Sequence, residues 1–265
     1  QYLINMPNVS KMPTLFLGHG SPMYAIEGNP FEKSWKDLAK TLPKPKAILS
    51  ISAHWETKGT FVTGMENPPT IHDFGNFPQA LFDVQYPAKG NLELAKRIQS
   101  LISKRKVKLD TSCGLDHGTW ALLTKMYPEA NIPTIQLSLD NTLTPLEHYE
   151  IAKELKPLRD EGVLILGSGN IVHNLSQISF DAKIEPAKWA IEFDEIIKQY
   201  LVDGKYQGII DYESLGDIAR LSAPTPEHFI PLIYIIALQE NDERVTFPVE
   251  GLVSKSISMR GVMVS

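Results

Sequence analysis

The chain has 265 residues, 43% hydrophobic and 22% charged, the proportions of a folded globular protein rather than a disordered one. Its 26 Lys and Arg against 31 Asp and Glu leave a net charge of −5, which offers no general attraction to nucleic-acid phosphates or anionic lipid. No apolar run reaches the ~18 residues that span a bilayer, Gln1 to Lys11 lacks a signal-peptide pattern, and the single cysteine, Cys113, excludes an intrachain disulfide and a Cys-rich zinc module, so a cytoplasmic protein is expected.

Residues 1–11 read as an N-terminal extension and 12–265 as one domain without an internal boundary. Thr14 to Leu17 is a short apolar run, read as a strand, that ends in Gly18-His19-Gly20-Ser21-Pro22. A helical pattern covers Phe31 to Leu42. Ala47 to Ser52 is a β-branched-rich strand that ends in Ala53-His54-Trp55. Helices are predicted over Asn91 to Lys104 and Thr119 to Met126, a strand over Ile132 to Leu137, and a helix over Pro145 to Glu161. Gly162 to Leu166 is a strand-like run followed by Gly167-Ser168-Gly169-Asn170-Ile171-Val172-His173-Asn174. Helices over Pro186 to Val202 and Pro226 to Leu238 precede closing strands at Val245 to Val249 and Ser256 to Met263. Strand and helix in alternation predict an α/β sheet covered by helices. Such sheets place ligands beyond the carboxyl ends of their strands. Three chemically loaded loops follow strand-like runs here, those of His19, His54 and His173.

Context sorts the seven histidines. His148, on a polar helix start, reads as a solvated surface residue. The other six adjoin Gly, Pro, Asp or Asn, where a ring can project from a loop. Imidazole suits Fe, Zn, Cu or Ni, and a His-rich, Cys-poor set points to a catalytic rather than a structural metal. The residues from His19 to His54, His117, His173 and His228 show no local ligand spacing, and no HExxH is present. Structural hydrogen bonding and a shared site therefore both remain open on spacing alone. Asp116, or a backbone carbonyl, is placed to orient the His117 ring. No GxGxxG, Walker lysine or GxSxG elbow occurs, although Ser21 near His19 offers a minor nucleophile reading. Cys113 reads as a buried or half-buried small residue, and the pairs Asp160-Glu161 and Asp242-Glu243 as solvated faces. The apolar positions from Ile191 to Leu201 read as a helix face on the core.

The segments LFLGHGSPM (15–23), SAHW (52–55), PPTIHDFGNFP (68–78), LDHGTW (115–120), LGSGNIVHN (166–174) and PTPEHFIPLIY (224–234) together closely resemble the 4,5-DOPA extradiol dioxygenase-like group of class III extradiol ring-cleavage dioxygenases. The resemblance runs from about Met12 to the C-terminus. It implies a single α/β domain with a central mixed β-sheet flanked by helices. It also implies one non-haem divalent metal, Fe(II) for activity with Zn(II) plausible in purified protein. The implied ligands are His19, His54 and His228. In the wider superfamily the third ligand is commonly a glutamate, and Glu227 stands beside His228. His173 matches the family's acid/base histidine, with a place as fourth metal ligand as the alternative. His117 matches a second histidine acting on substrate or oxygen.

The implied partners are a catechol-type small molecule and O2, without nucleic acid or membrane, and the implied product is a ring-opened semialdehyde. His72, in a Pro/Gly-rich loop, is expected either to contact substrate or to anchor the loop. Asn170, Asn174, Ser21 and Tyr234 are candidates for supporting the site residues. Two other readings use the same histidines: a zinc-dependent hydrolase, and a metal-binding module without enzyme activity.

Overall fold

Four of the apolar runs lie side by side as parallel strands, and two short strands close one edge in the opposite direction. The computed structural model describes residues 11–265. The strands are β1 (Thr14–Gly18), β2 (Ala47–Ser52), β3 (Thr134–Gln136), β4 (Val163–Gly169), β5 (Val245–Thr246) and β6 (Val262–Val264). Their order is β3-β2-β4-β1-β6-β5. The pairs β3–β2, β2–β4 and β4–β1 are parallel, whereas β1–β6 and β6–β5 are antiparallel, which makes the sheet mixed. The register sets Ser52 opposite Ser168 and Gly18 opposite Gly169, so three strands end at one level.

Every residue of β1, β2 and β4 is buried, as expected for parallel strands covered on both faces. Alternate side chains enter two different cores. Phe16, Leu49, Ile51 and Ile165 pack with one set of helices, and Leu15, Leu17, Ile48, Leu164 and Leu166 with the other. Helices α1 (Glu32–Thr41) and α3 (His117–Met126) cover the second face through Trp35, Leu38, Trp120 and Leu123. Helices α2 (Leu92–Leu101), α4 (Pro145–Lys153), α5 (Lys188–Asp203) and α6 (Ile230–Ile236) cover the first.

The differences from the sequence reading have local causes. The helix expected over Pro145 to Glu161 ends at Lys153, and a separate short turn covers Pro157–Asp160, because Pro157 supplies no N–H to continue the ladder. Regular helix in the segment from Pro226 begins only at Ile230. The closing strand expected over Ser256 to Met263 is two strands, Ile257–Ser258 in a hairpin with Leu252–Val253, and β6. Gly167 to Gly169, read as loop, belongs to β4. The pairs Thr60–Thr63 with Val107–Asp110, and Glu56–Thr57 with Leu139–Asp140, are short and polar enough to leave no clear periodicity. Of the expected extension, residues 1–10 lie outside the described residues, and Lys11 pairs with Glu240 at 2.5 Å.

Two surface readings are corrected. His148 is buried, with Nδ1 2.8 Å from the Tyr234 hydroxyl, because α4 turns that face onto α6. Glu243 is no solvated acid. It makes a two-pronged pair, at 2.6 and 2.5 Å, with the fully buried Arg159 guanidinium. Arg159 also donates to the carbonyls of Met12 (2.8 Å) and Leu238 (2.7 Å), at the amino-terminal end of the parallel strands.

Candidate metal centre

The site forms at the opposite, carboxyl end of the same strands. His19 follows β1 directly, His54 stands two residues past β2, and His173 four past β4. His117 opens α3, and His228 lies two residues before α6. Glycines permit the close packing. A Cβ on Gly169 would come within 2.2 Å of the His228 carbonyl oxygen, and one on Gly118 within 2.5 Å of Ser52 Oγ and 3.2 Å of His54 Cδ2. The amide of Asn170 donates to the His228 carbonyl at 2.8 Å, tying the loop before α6 to the end of β4.

Five of the histidines converge. Nε2 of His19 and Nε2 of His54 face each other at 2.9 Å. The His228 ring lies 5.3 Å from that of His19 and 4.9 Å from that of His54 between centroids. One donor nitrogen from each of the three falls within 4.8 Å of the others. The Nε2 atom of His228 is buried without a hydrogen-bond partner among the described residues. A buried unpaired polar atom costs about 1–3 kcal/mol, so a donor left so beside the facing Nε2 atoms of His19 and His54 fits a cation. His54, Asp73 and His117 form a second convergent group within 4.8 Å. That group is already closed internally, since Asp73 Oδ2 is 2.9 Å from His117 Nδ1. Either group could hold a metal ion, and among the described residues only the three-imidazole group carries a buried donor without a partner.

The far nitrogens of these rings show what orients them. Ser168 Oγ donates to the Gly118 carbonyl at 2.5 Å, so it accepts from His19 Nδ1–H at 2.9 Å and leaves His19 Nε2 as a lone pair. His228 Nδ1 donates to Glu227 Oε1 at 3.2 Å, and the Thr225 hydroxyl donates to the same oxygen at 2.8 Å. His54 Nδ1 lies 3.7 Å from Asp73 Oδ2, beyond hydrogen-bond range. Beneath them, Asp116 is buried and accepts from Ser52 Oγ (2.6 Å), the Gly118 amide (2.9 Å) and Gln136 Nε2 (2.8 Å). Asp116 thus caps α3 and braces β2, and the carboxylate on the His117 ring belongs to Asp73 instead. Ser52, Gln136 and Ser168 carried no sequence signal beyond lying at strand ends.

Burial dominates the electrostatics. It pushes His19, His54 and His228 below the ordinary imidazole range, with the neighbouring histidines adding to the effect for His19 and His54 and Glu227 opposing it for His228. Burial, reinforced by His228, lowers His173 to about 3. All four are neutral at pH 7, the state in which imidazole donates a lone pair. For Glu227, burial acts upward, but the His228 and Thr225 hydrogen bonds outweigh it and bring the carboxyl down to about 2. Asp73 is likewise held below the usual carboxylate range, its hydrogen bonds from His117 outweighing burial. Burial, aided by the Asp73 charge, raises Asp116.

The remaining predicted residues fall into place around this centre. His173 stacks on His228, with centroids 3.4 Å apart and planes within 5°. The His117 ring lies 3.9 Å from His54 and 5.6 Å from His19. His72 stands apart. Its Nε2 donates to the Val84 carbonyl at 2.8 Å, and its ring packs among Phe74, Phe82 and Trp120. It anchors its loop and makes no ring contact with the converging histidines. Ser21 caps the short turn Pro22–Ala25, accepting from the Met23 amide. Asn170 and Asn174 donate to the carbonyls of Ser258 and Leu221, and the Tyr234 hydroxyl pairs with His148 Nδ1. Cys113 is half-buried, and burial pushes its thiol up, away from reactivity.

Residues 13–264 match the family described as the catalytic LigB subunit of aromatic ring-opening dioxygenase. A protein of Escherichia coli K12 named 4,5-DOPA dioxygenase extradiol is 46% identical over 261 residues, covering 96% of this chain and 95% of its own. A protein of the same name from Beta vulgaris is 42% identical over 226 residues, covering 83% and 84%. The crystal structure of JW3007 from Escherichia coli K12 superposes with a TM-score of 0.85 at 40% identity, over 96% of this chain and all of that one. No helix among the described residues is long and apolar enough to cross a membrane.

Proposed function

We propose, on the premise that this chain belongs to the LigB family of aromatic ring-opening dioxygenases and is an extradiol ring-cleavage dioxygenase, that it opens a DOPA-like catechol with O2 to a ring-opened semialdehyde, at one divalent metal held by His19, His54 and His228. The observation that carries the metal assignment is the convergence of three imidazole donors, one of them buried with no partner. Fe(II) bound there would supply the charge that acidifies catechol hydroxyls and the one-electron chemistry that O2 requires, and Zn(II) suits the same donors without the redox step.

The chain's own residues account for orientation and proton handling. Three neutral imidazoles leave the ion's full charge for the substrate, and Glu227 returns part of it through the Nδ1–H of His228. His173 is the candidate base towards a substrate hydroxyl. Its ring stacks parallel on that of His228 instead of converging edge-on with the other imidazoles, which favours the base over the fourth-ligand reading. His117, held by a carboxylate on Nδ1 and with its ring 3.9 Å from that of His54, is the candidate proton donor and oxygen-orienting group.

The test is oxygen consumption by iron-reconstituted protein with a panel of catechols, together with the visible absorbance of the semialdehyde. Uptake equimolar with product supports the reading. No uptake with any catechol, despite one bound iron per chain, would overturn it in favour of hydrolysis or metal binding alone.

A further inference from the structure

We infer that Asp73 is a positioning residue for the reaction, one carboxylate that fixes the tautomer and direction of His117. The inference rests on the reading above that His117 acts on substrate or oxygen. Asp73 Oδ1 accepts from the main-chain amide of His117 at 3.0 Å, and Oδ2 lies 2.9 Å from Nδ1 of the same residue. The two contacts hold the carboxylate and the ring in one relative orientation. They place the proton on Nδ1 and leave Nε2 free. The same Oδ2 lies 3.7 Å from Nδ1 of His54, the one imidazole of the three whose far nitrogen has no closer oxygen partner.

The loop that delivers Asp73 is built for it. The Ile71 amide donates to Leu115 O and the Leu115 amide to Pro69 O, each at 2.8 Å, lashing the loop to the residues just before α3. His72 holds Val84 from one side, and the Trp120 indole donates to the Ile71 carbonyl at 2.8 Å. The anchors just before Asp73 thus tie it to the segment that carries His117 and to the later part of its own loop.

Asp73→Asn discriminates this role from a structural one. If the amide oxygen keeps the main-chain N–H of His117, its NH2 faces Nδ1, which must then accept, and the ring proton moves to Nε2. The expected result is a kcat ten- to a hundredfold lower, a nearly unchanged KM for the catechol, undiminished bound metal, and partial recovery in Asp73→Glu. Nitrogen NMR of histidine-labelled, zinc-loaded protein, with His117→Gln to assign the signals, reads the tautomer directly. It should show His117 as Nδ1–H in the wild type and as Nε2–H in Asp73→Asn. An Nε2–H tautomer in the wild type, or an unchanged kcat in a folded, metal-loaded Asp73→Asn, overturns the inference. Should Asp73→Asn not fold, the wild-type tautomer still decides it. Should no catechol be turned over at all, the functional reading fails while the NMR result judges Asp73 separately.

Discussion

The two ends of the central sheet bury polar groups in opposite ways. At the amino end, Arg159 is fully buried and meets two backbone carbonyls and both oxygens of Glu243. At the carboxyl end, His19 and His54 turn Nε2 atoms towards each other, and His228 Nε2 has no partner. A closed network supports the fold, whereas an open, convergent one costs stability until a ligand completes it. The same strands supply both ends, so the difference lies in the loops and not in the scaffold.

The largest expected effect breaks the open end. His19→Ala or His54→Ala should lose stoichiometric iron and lower turnover by about a thousandfold or more, as metal analysis and an oxygen electrode would read. His173→Ala should keep the metal while turnover stops, and metal loss there would make it a ligand. Metal removal from the wild type should lower its melting temperature, since an ion that binds only the folded chain stabilises it.

Breaking the closed end should act on stability alone. Glu243→Ala leaves a buried guanidinium without its counter-charge, at a cost of about 3–5 kcal/mol. Denaturant unfolding would measure it, and metal content should not change in the folded fraction.

The His148–Tyr234 pair sharpens the comparison as a third buried polar contact, closed like Arg159 but titratable. Burial brings His148 down to about 4, against the partly opposing charges of Asp140 and Glu147. The unfolded chain, with an ordinary imidazole near 6.5, binds the proton first. Its contribution is therefore present above pH 6.5 and is lost as pH falls towards 4, by about 3 kcal/mol. Urea midpoints at pH 7 and 5 should differ less in His148→Gln than in the wild type. At the small end, Lys33→Ala removes a fully exposed pair with Asp37 and should leave the unfolding midpoint unchanged.

Much of the scaffold was legible because its signals are local. The runs 14–17, 47–52 and 162–166 are short and apolar between turn residues and became β1, β2 and β4. Asn91 and Thr144 sit where their side chains cap α2 and α4. The strands Thr60–Thr63 and Val107–Asp110 were illegible, since they pair across more than forty residues and carry little periodicity. His148 misled because its neighbours in sequence are polar while its neighbour in space is Tyr234.

The sequence by itself determined that the chain is an α/β protein with histidines clustered at strand ends, because hydrophobic period and loop chemistry are properties of adjacent residues. Which nitrogen His19 and His228 turn inward, and that Asp73 rather than Asp116 serves His117, were decided only by the tertiary structure. Those are angles and distances between residues far apart in the chain, and they exist only once parallel strands have been brought into register.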